Sequence, residues 1–212
     1  MATTNQDYLP AMGQHWLLFL YDPLTRIWGV PKMHAALLDR ADIRPGHRVL
    51  DIGCGTGNLL RALGRRTPGV PMTGIDPDPA GLRRAGRKAR RAGLEIEFKQ
   101  AYASSLPFPD AGFDRVLSSF MLHHLREEET RQGLAEIRRV LRPGGELHIV
   151  DVAGMSAEGR AGRKVAHKHP HLVGNLPGRV LAALREAGFG EATENGRGKD
   201  RFGGHVFYRA AK

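Results

Sequence analysis

Three glycines on alternate positions, Gly53, Gly55 and Gly57, follow the acid Asp51 in "RVLDIGCGTGN". Glycine reaches positive φ without a Cβ penalty, so such a loop lets a ligand lie against bare backbone. The helix that follows would aim its free N–H groups at the same place. A second acid, Asp76, closes the run "MTGID". It lies about 20 residues beyond the loop, where a carboxylate can accept both hydroxyls of a ribose. One carboxylate with two oxygens matches a vicinal diol, and its charge repels a 2′-phosphorylated ribose.

The two acids discriminate between ligands. A dinucleotide fingerprint runs G-x-G-x-x-G. Here the spacing is D-x-G-x-G-x-G, from Asp51 to Gly57. Asp51 repels a pyrophosphate but attracts a ligand that carries an ammonium and a sulfonium. S-adenosyl-L-methionine has both, together with a ribose for Asp76, and is favoured over NAD. Cys54 is the single cysteine, which excludes an internal disulfide and a multi-thiolate metal site. A lone thiol with no assigned base reads as a small side chain under the glycine loop, not as a nucleophile.

Two histidines stand where a base would be useful. His123 and His124, in "FMLHHL", follow a strand-like segment. One of them, His124 before His123, is the candidate to take a proton from a hydroxyl, amine or enol. "HKHPH", His167 to His171, alternates histidines without a nearby carboxylate or thiolate, and reads as a solvated loop. No metal site is expected.

These residues need a scaffold, and the rest of the chain supplies one. "RVLDIG", "VPMTGID", "LEIEFKQ", "FDRVLSSF" and "ELHIVDV" read as strands. "GNLLRALGRR", "PAGLRRAGRKARRAG", "EEETRQGLAEIRRVLR" and "NLPGRVLAALREAG" read as helices, the third ended by Pro143-Gly144-Gly145. Two late strands, around Glu191 to Glu194 and "GHVFYRA", have no helix between them and should form a hairpin. Such alternation predicts a Rossmann-like α/β fold: a seven-stranded, mostly parallel sheet with helices on both faces and a C-terminal antiparallel hairpin. In such a sheet ligands bind at the carboxyl ends of the strands. The glycine loop, Asp76 and the histidines all fall there.

Four segments, "VLDIGCGTGN", "GIDPDP", "LPFPDAGFDRVLSS" and "RVLRPGGELHIVD", occur in this order. Over about residues 20–152 the chain resembles class I S-adenosylmethionine-dependent methyltransferases. The likeness is to the broad small-molecule type that includes the ubiquinone/menaquinone C-methyltransferases. The resemblance implies that Gly53 and Gly55 line the methionine part and that Asp51 orients the loop and helps hold the ammonium. Cys54 and Asn58, on the same loop, are further candidate cofactor-binding positions. It further implies that Asp76 binds the ribose diol, Pro77 lies against the adenine, and Ser119 sits beside the methionine moiety. Where many members have an acid for the adenine amino group, this chain has Ala101-Tyr102-Ala103. Tyr102 would stack or hydrogen-bond there, and the Ala103 backbone would read the adenine edge.

Bulk properties agree with one α/β unit. The chain has 212 residues, 41% of them hydrophobic and 25% charged. No apolar run approaches the roughly 18–20 residues that span a bilayer, so a cytoplasmic location is expected. Residues 1–47 read as an N-terminal helical segment. Trp16, Phe19, Tyr21 and Trp28 there would form a lid over the substrate pocket. Residues 48–212 read as the cofactor-binding domain. The net charge of +10 raises a polyanion partner as an alternative. Arg83, Arg87, Arg90 and Arg91 would share one helix side, and Arg160 to Lys168 would flank the mouth. The leading expectation is methyl transfer to a small, apolar or aromatic acceptor. RNA or another polyanion as acceptor comes second, with peripheral membrane contact also open. A non-catalytic binding protein comes third, motivated by Tyr102.

Overall fold

The computed structural model describes residues 29–153, 177–200 and 203–212. The aromatic lid residues, the stretch Arg160 to Lys168 and the histidines of "HKHPH" lie outside the described residues.

Seven strands form one sheet in the order β3-β2-β1-β4-β5-β7-β6. The strands are β1 (Val49–Ile52), β2 (Met72–Asp76), β3 (Glu97–Gln100), β4 (Phe113–Ser119), β5 (Leu141–Val152), β6 (Ala192–Asp200) and β7 (Gly203–Ala211). β1 to β5 pair in parallel, and β7 pairs antiparallel with both β5 and β6. The order reverses between β1 and β4, which opens the crevice where such sheets take ligands. β1 and β2 are buried along their whole length, as interior parallel strands covered on both faces must be. β3 is mostly exposed, because it is the edge strand.

Helices α1 (Val30–Ala41), α2 (Asn58–Arg66), α3 (Pro79–Arg91), α4 (Glu127–Val140) and α5 (Pro177–Glu186) cover the sheet. α3 opens with proline in its first turn, and the Asp78 carboxylate caps it by accepting from the Ala80 N–H at 2.8 Å. α4 starts with Glu127, Glu128 and Glu129, which suit the positive end of the helix dipole. Two apolar clusters result. One joins Leu37, Leu60, Leu63, Leu117 and Phe207. The other joins Leu134, Ile137, Val140, Leu147 and Ile149. α1 packs its Leu37 and Leu38 into the first cluster, together with β1.

β3 starts at Glu97, three residues later than expected, and two further boundaries differ through a register shift. α4 was expected to run to Arg142 and stops at Val140, because Leu141 turns extended and pairs with Phe113. β5 therefore spans the Pro-Gly-Gly turn, and the register shifts between Phe113 and Arg115 to absorb it. β6 continues to Asp200 past a similar shift between Glu194 and Arg197, where Gly196 adopts φ 126°.

Candidate active site

The glycine loop is a tight turn between β1 and α2. The Gly57 N–H reaches the Cys54 carbonyl at 2.8 Å, and Gly53 and Cys54 both donate to the Ile75 carbonyl at 2.9 Å. Gly53, Gly55 and Gly57 have φ of 72°, 52° and 72°, a region closed to most other residues. A Cβ at Gly53 would stand 2.6 Å from Met121 Cγ, whereas one at Gly55 would meet nothing within 4 Å among the described residues. Gly55 therefore presents bare backbone to open space. The Cys54 side chain turns the other way, against Gly74 of β2. Burial pushes its thiol up, and the charges of Asp51 and Asp76 add to the effect, so the thiol is packing.

Asp76 ends β2 and braces this loop. Its Oδ2 accepts from the Gly55 N–H at 2.8 Å, and its Oδ1 from the Asp78 N–H at 2.9 Å. Each oxygen keeps a second lone pair for a ligand. Asp51 is different. It is 1% exposed, and its Oδ1 has no hydrogen-bond partner among the described residues. Burial, with Asp76 nearby, pushes its carboxyl well above the usual range. Burial also raises that of Asp76, though the two backbone N–H groups work against the rise. Two cation-seeking acids beside bare glycine backbone fit a ligand with an ammonium, a sulfonium and a ribose diol.

The remaining expected contacts divide. Tyr102, 38% exposed, and half-buried Ala103 follow β3 beside Asp76, whose carbonyl accepts from the Ala101 N–H at 3.3 Å. Pro77 is half-buried at the same edge. Asn58 is tied to the loop and to α3 instead. Its Oδ1 accepts from Lys88 Nζ at 2.6 Å, and Lys88 also reaches Thr56 Oγ1 at 3.0 Å. Ser119 closes β4, with its Oγ 3.0 Å from Nε2 of His34 on α1.

Past β4 the chain turns through Phe120, at φ 55°, into a 3₁₀ turn over Leu122–His124. There His123 Nδ1 lies 2.6 Å from Oδ1 of Asp151, a fully buried acid on β5. The Asp151 carboxylate also accepts from the backbone N–H groups of His123 (3.3 Å) and Val152 (2.7 Å). The His124 ring lies 4.0 Å from the His123 ring, centroid to centroid. The carboxylate thus goes to His123, where sequence reasoning put His124 first.

Sequence reasoning missed Asp151 and His34. Asp151 carried a signal, an acid ending the strand "ELHIVDV" at the sheet's ligand edge. His34 carried none, because a histidine on an apolar helix face reads as core. No group of three or more His, Cys, Asp or Glu able to hold a metal occurs among the described residues. No described helix is long and apolar enough to cross a membrane.

Comparison with known proteins agrees with this geometry. A methyltransferase domain family matches residues 49–145. The chain is 42% identical over 104 residues to a demethylmenaquinone methyltransferase of Thermus thermophilus, covering 49% of this chain and 46% of that protein. It is 38% identical over 129 residues to a ubiquinone/menaquinone biosynthesis C-methyltransferase of Bordetella avium, covering 60% and 48%. These matches span about half the length of the relatives. A crystal structure of a SAM-dependent methyltransferase from Aquifex aeolicus shares the fold at TM-score 0.65 and 22% identity, covering 84% of this chain and 88% of that one. Residues 49–145 thus match a methyltransferase domain family, and the chain has the fold of the methyltransferase from Aquifex aeolicus.

Proposed function

We propose that this chain transfers a methyl group from S-adenosylmethionine to a small apolar or aromatic acceptor, a quinone-type ring first among them. The observation that carries the cofactor is the buried Asp51 Oδ1, without a partner among the described residues, beside the open backbone of Gly55. The named activities of the relatives support the acceptor class. When bound, the cofactor supplies an activated methyl on a sulfonium. Asp51 would take up the ammonium and Asp76 the ribose diol, with Pro77, Tyr102 and Ala103 around the adenine.

His123 is the base in this reading. A carboxylate at Nδ1 only accepts, so Nδ1 carries the hydrogen and Nε2 keeps the basic lone pair. Asp151 fixes that tautomer and stabilises the imidazolium once a proton arrives. The proton comes from an acceptor hydroxyl or from a ring position that gains the methyl. Placing the nucleophile in line with the methyl does most of the remaining work. The test is a transfer screen with labelled cofactor against quinones, phenols, amines and bulk RNA. Label on quinones or phenols is expected. Binding of NAD but not S-adenosylhomocysteine in calorimetry would overturn the reading.

A polyanionic acceptor is favoured by one observation. Arg83, Arg87, Arg90 and Arg91 are all exposed on α3, which holds no acid. RNA binding that weakens steeply with salt, together with label transfer to RNA, would put this reading first.

A further inference from the structure

We infer that His34 and Ser119 form a polar clamp on the amino-acid end of the cofactor, with His34 acting as a positioning residue through the Ser119 hydroxyl. The inference rests on the cofactor reading above and adds a residue from outside its sequence motifs. Alternate residues of a strand share a face. In β1 that rule puts Asp51 with Val49, and in β4 it puts Ser119 with Leu117. The register pairs Asp51 with Leu117. Val49 and Leu117 belong to the cluster that packs against α1 and α2. The Asp51 carboxylate and the Ser119 hydroxyl therefore emerge on the same face of neighbouring strands, at the ligand edge, and α1 closes that corner.

His34 is the α1 residue that reaches in. It is 8% exposed and holds Ser119 Oγ at 3.0 Å across the fold. Burying an imidazole costs free energy that an apolar residue on the same helix face would not, so its use lies in what it does to Ser119. Burial holds His34 neutral, with its pKa lowered to about 4. A neutral imidazole can offer a lone pair at Nε2. The Ser119 O–H then donates to Nε2, and both Oγ lone pairs remain for a donor in the corner. An ammonium brings three N–H donors. The partnerless Asp51 Oδ1 accepts one of them and Ser119 Oγ a second.

The pair of nucleosides S-adenosylhomocysteine and 5′-methylthioadenosine isolates the effect, because the second lacks the amino-acid end. Calorimetry on the full chain should show His34→Leu and Ser119→Ala each weakening S-adenosylhomocysteine binding about tenfold, the size of one hydrogen bond to a charged group. Binding of 5′-methylthioadenosine should not change. The double variant should lose little more than either single one, because the two residues act as a unit. His34→Gln, whose amide oxygen can accept the same hydroxyl, should restore part of the affinity and covers the case in which His34→Leu fails to fold. Equal loss for both nucleosides, no loss at all, or additive losses would overturn the clamp. Wild-type protein that binds neither nucleoside would overturn the cofactor reading itself.

Discussion

Three buried acids, Asp51, Asp76 and Asp151, stand at or near the carboxyl ends of β1, β2 and β5, and the fold treats them in two ways. Asp151 is satisfied. It holds an imidazole and two backbone N–H groups and is fully buried. Among the described residues Asp76 has backbone N–H groups but no cation, and Asp51 Oδ1 has no partner. An unpaired buried acid costs free energy that selection would remove from a purely structural position. The β1–β2 side is therefore electrostatically unfinished, and the proposed cationic, diol-bearing ligand would finish it. The β5 side is complete and serves an internal partner, His123. In the proposed function one half of the crevice binds the cofactor and the other moves a proton.

The largest effect should break that division most clearly. His123→Ala should lower kcat for methyl transfer by about 10²–10³-fold, the usual contribution of a positioned base. Affinity for S-adenosylhomocysteine should stay as it was. Asp151→Asn removes the carboxylate that fixes the tautomer and should cost about tenfold or more in kcat. His124→Ala should cost less than about threefold. Loss of transfer with His124→Ala and retention with His123→Ala would return the role to His124.

Asp76→Ala is the mirror experiment. It removes the ribose acceptor and the brace on the Gly55 N–H together. Each charged hydrogen bond contributes about 1.5–3 kcal/mol, so S-adenosylhomocysteine affinity should fall by about 100-fold or more. Unchanged binding in calorimetry would show that the ribose site lies elsewhere.

The two halves were not equally readable from the chain. Asp51, the alternate glycines and Asp76 are local in sequence, and their spacing alone defines a loop against a strand end. The strand and helix order was legible for the same reason, since each element carries its own periodicity. Asp151 and His123 are 28 residues apart, and His34 and Ser119 are 85 apart. Only the strand order brings such pairs together, and no local pattern reports it. The bulge that absorbs Pro143-Gly144-Gly145 into β5 was hidden likewise, because it depends on Leu141 finding Phe113 across the sheet.

The smallest effect tests whether Asp51 is truly unfinished, and its sign follows from linkage. Burial raises the folded-state pKa of Asp51 above its ordinary value of 3.8. In the window between those two values the folded chain binds more protons than the unfolded one. Stability then falls as pH rises through the window, and the loss persists at higher pH. Asp51→Asn keeps the shape and removes the charge. Without ligand, the variant should melt a few degrees above wild type at pH 8, at about 2–4 °C for each kcal/mol in a chain of this size. That gap should narrow as pH falls toward the ordinary carboxylate range, because burial makes the folded wild-type chain take up the Asp51 proton before the unfolded one does. A bound ammonium supplies the missing counter-charge, so ligand should raise the wild-type melting temperature more at pH 8 than at pH 5. The variant should show little of this pH dependence and should bind S-adenosylhomocysteine about tenfold more weakly. A wild-type protein whose ligand-induced shift is the same at both pH values would mean that Asp51 already has a partner. The contrast with Asp151 would then collapse.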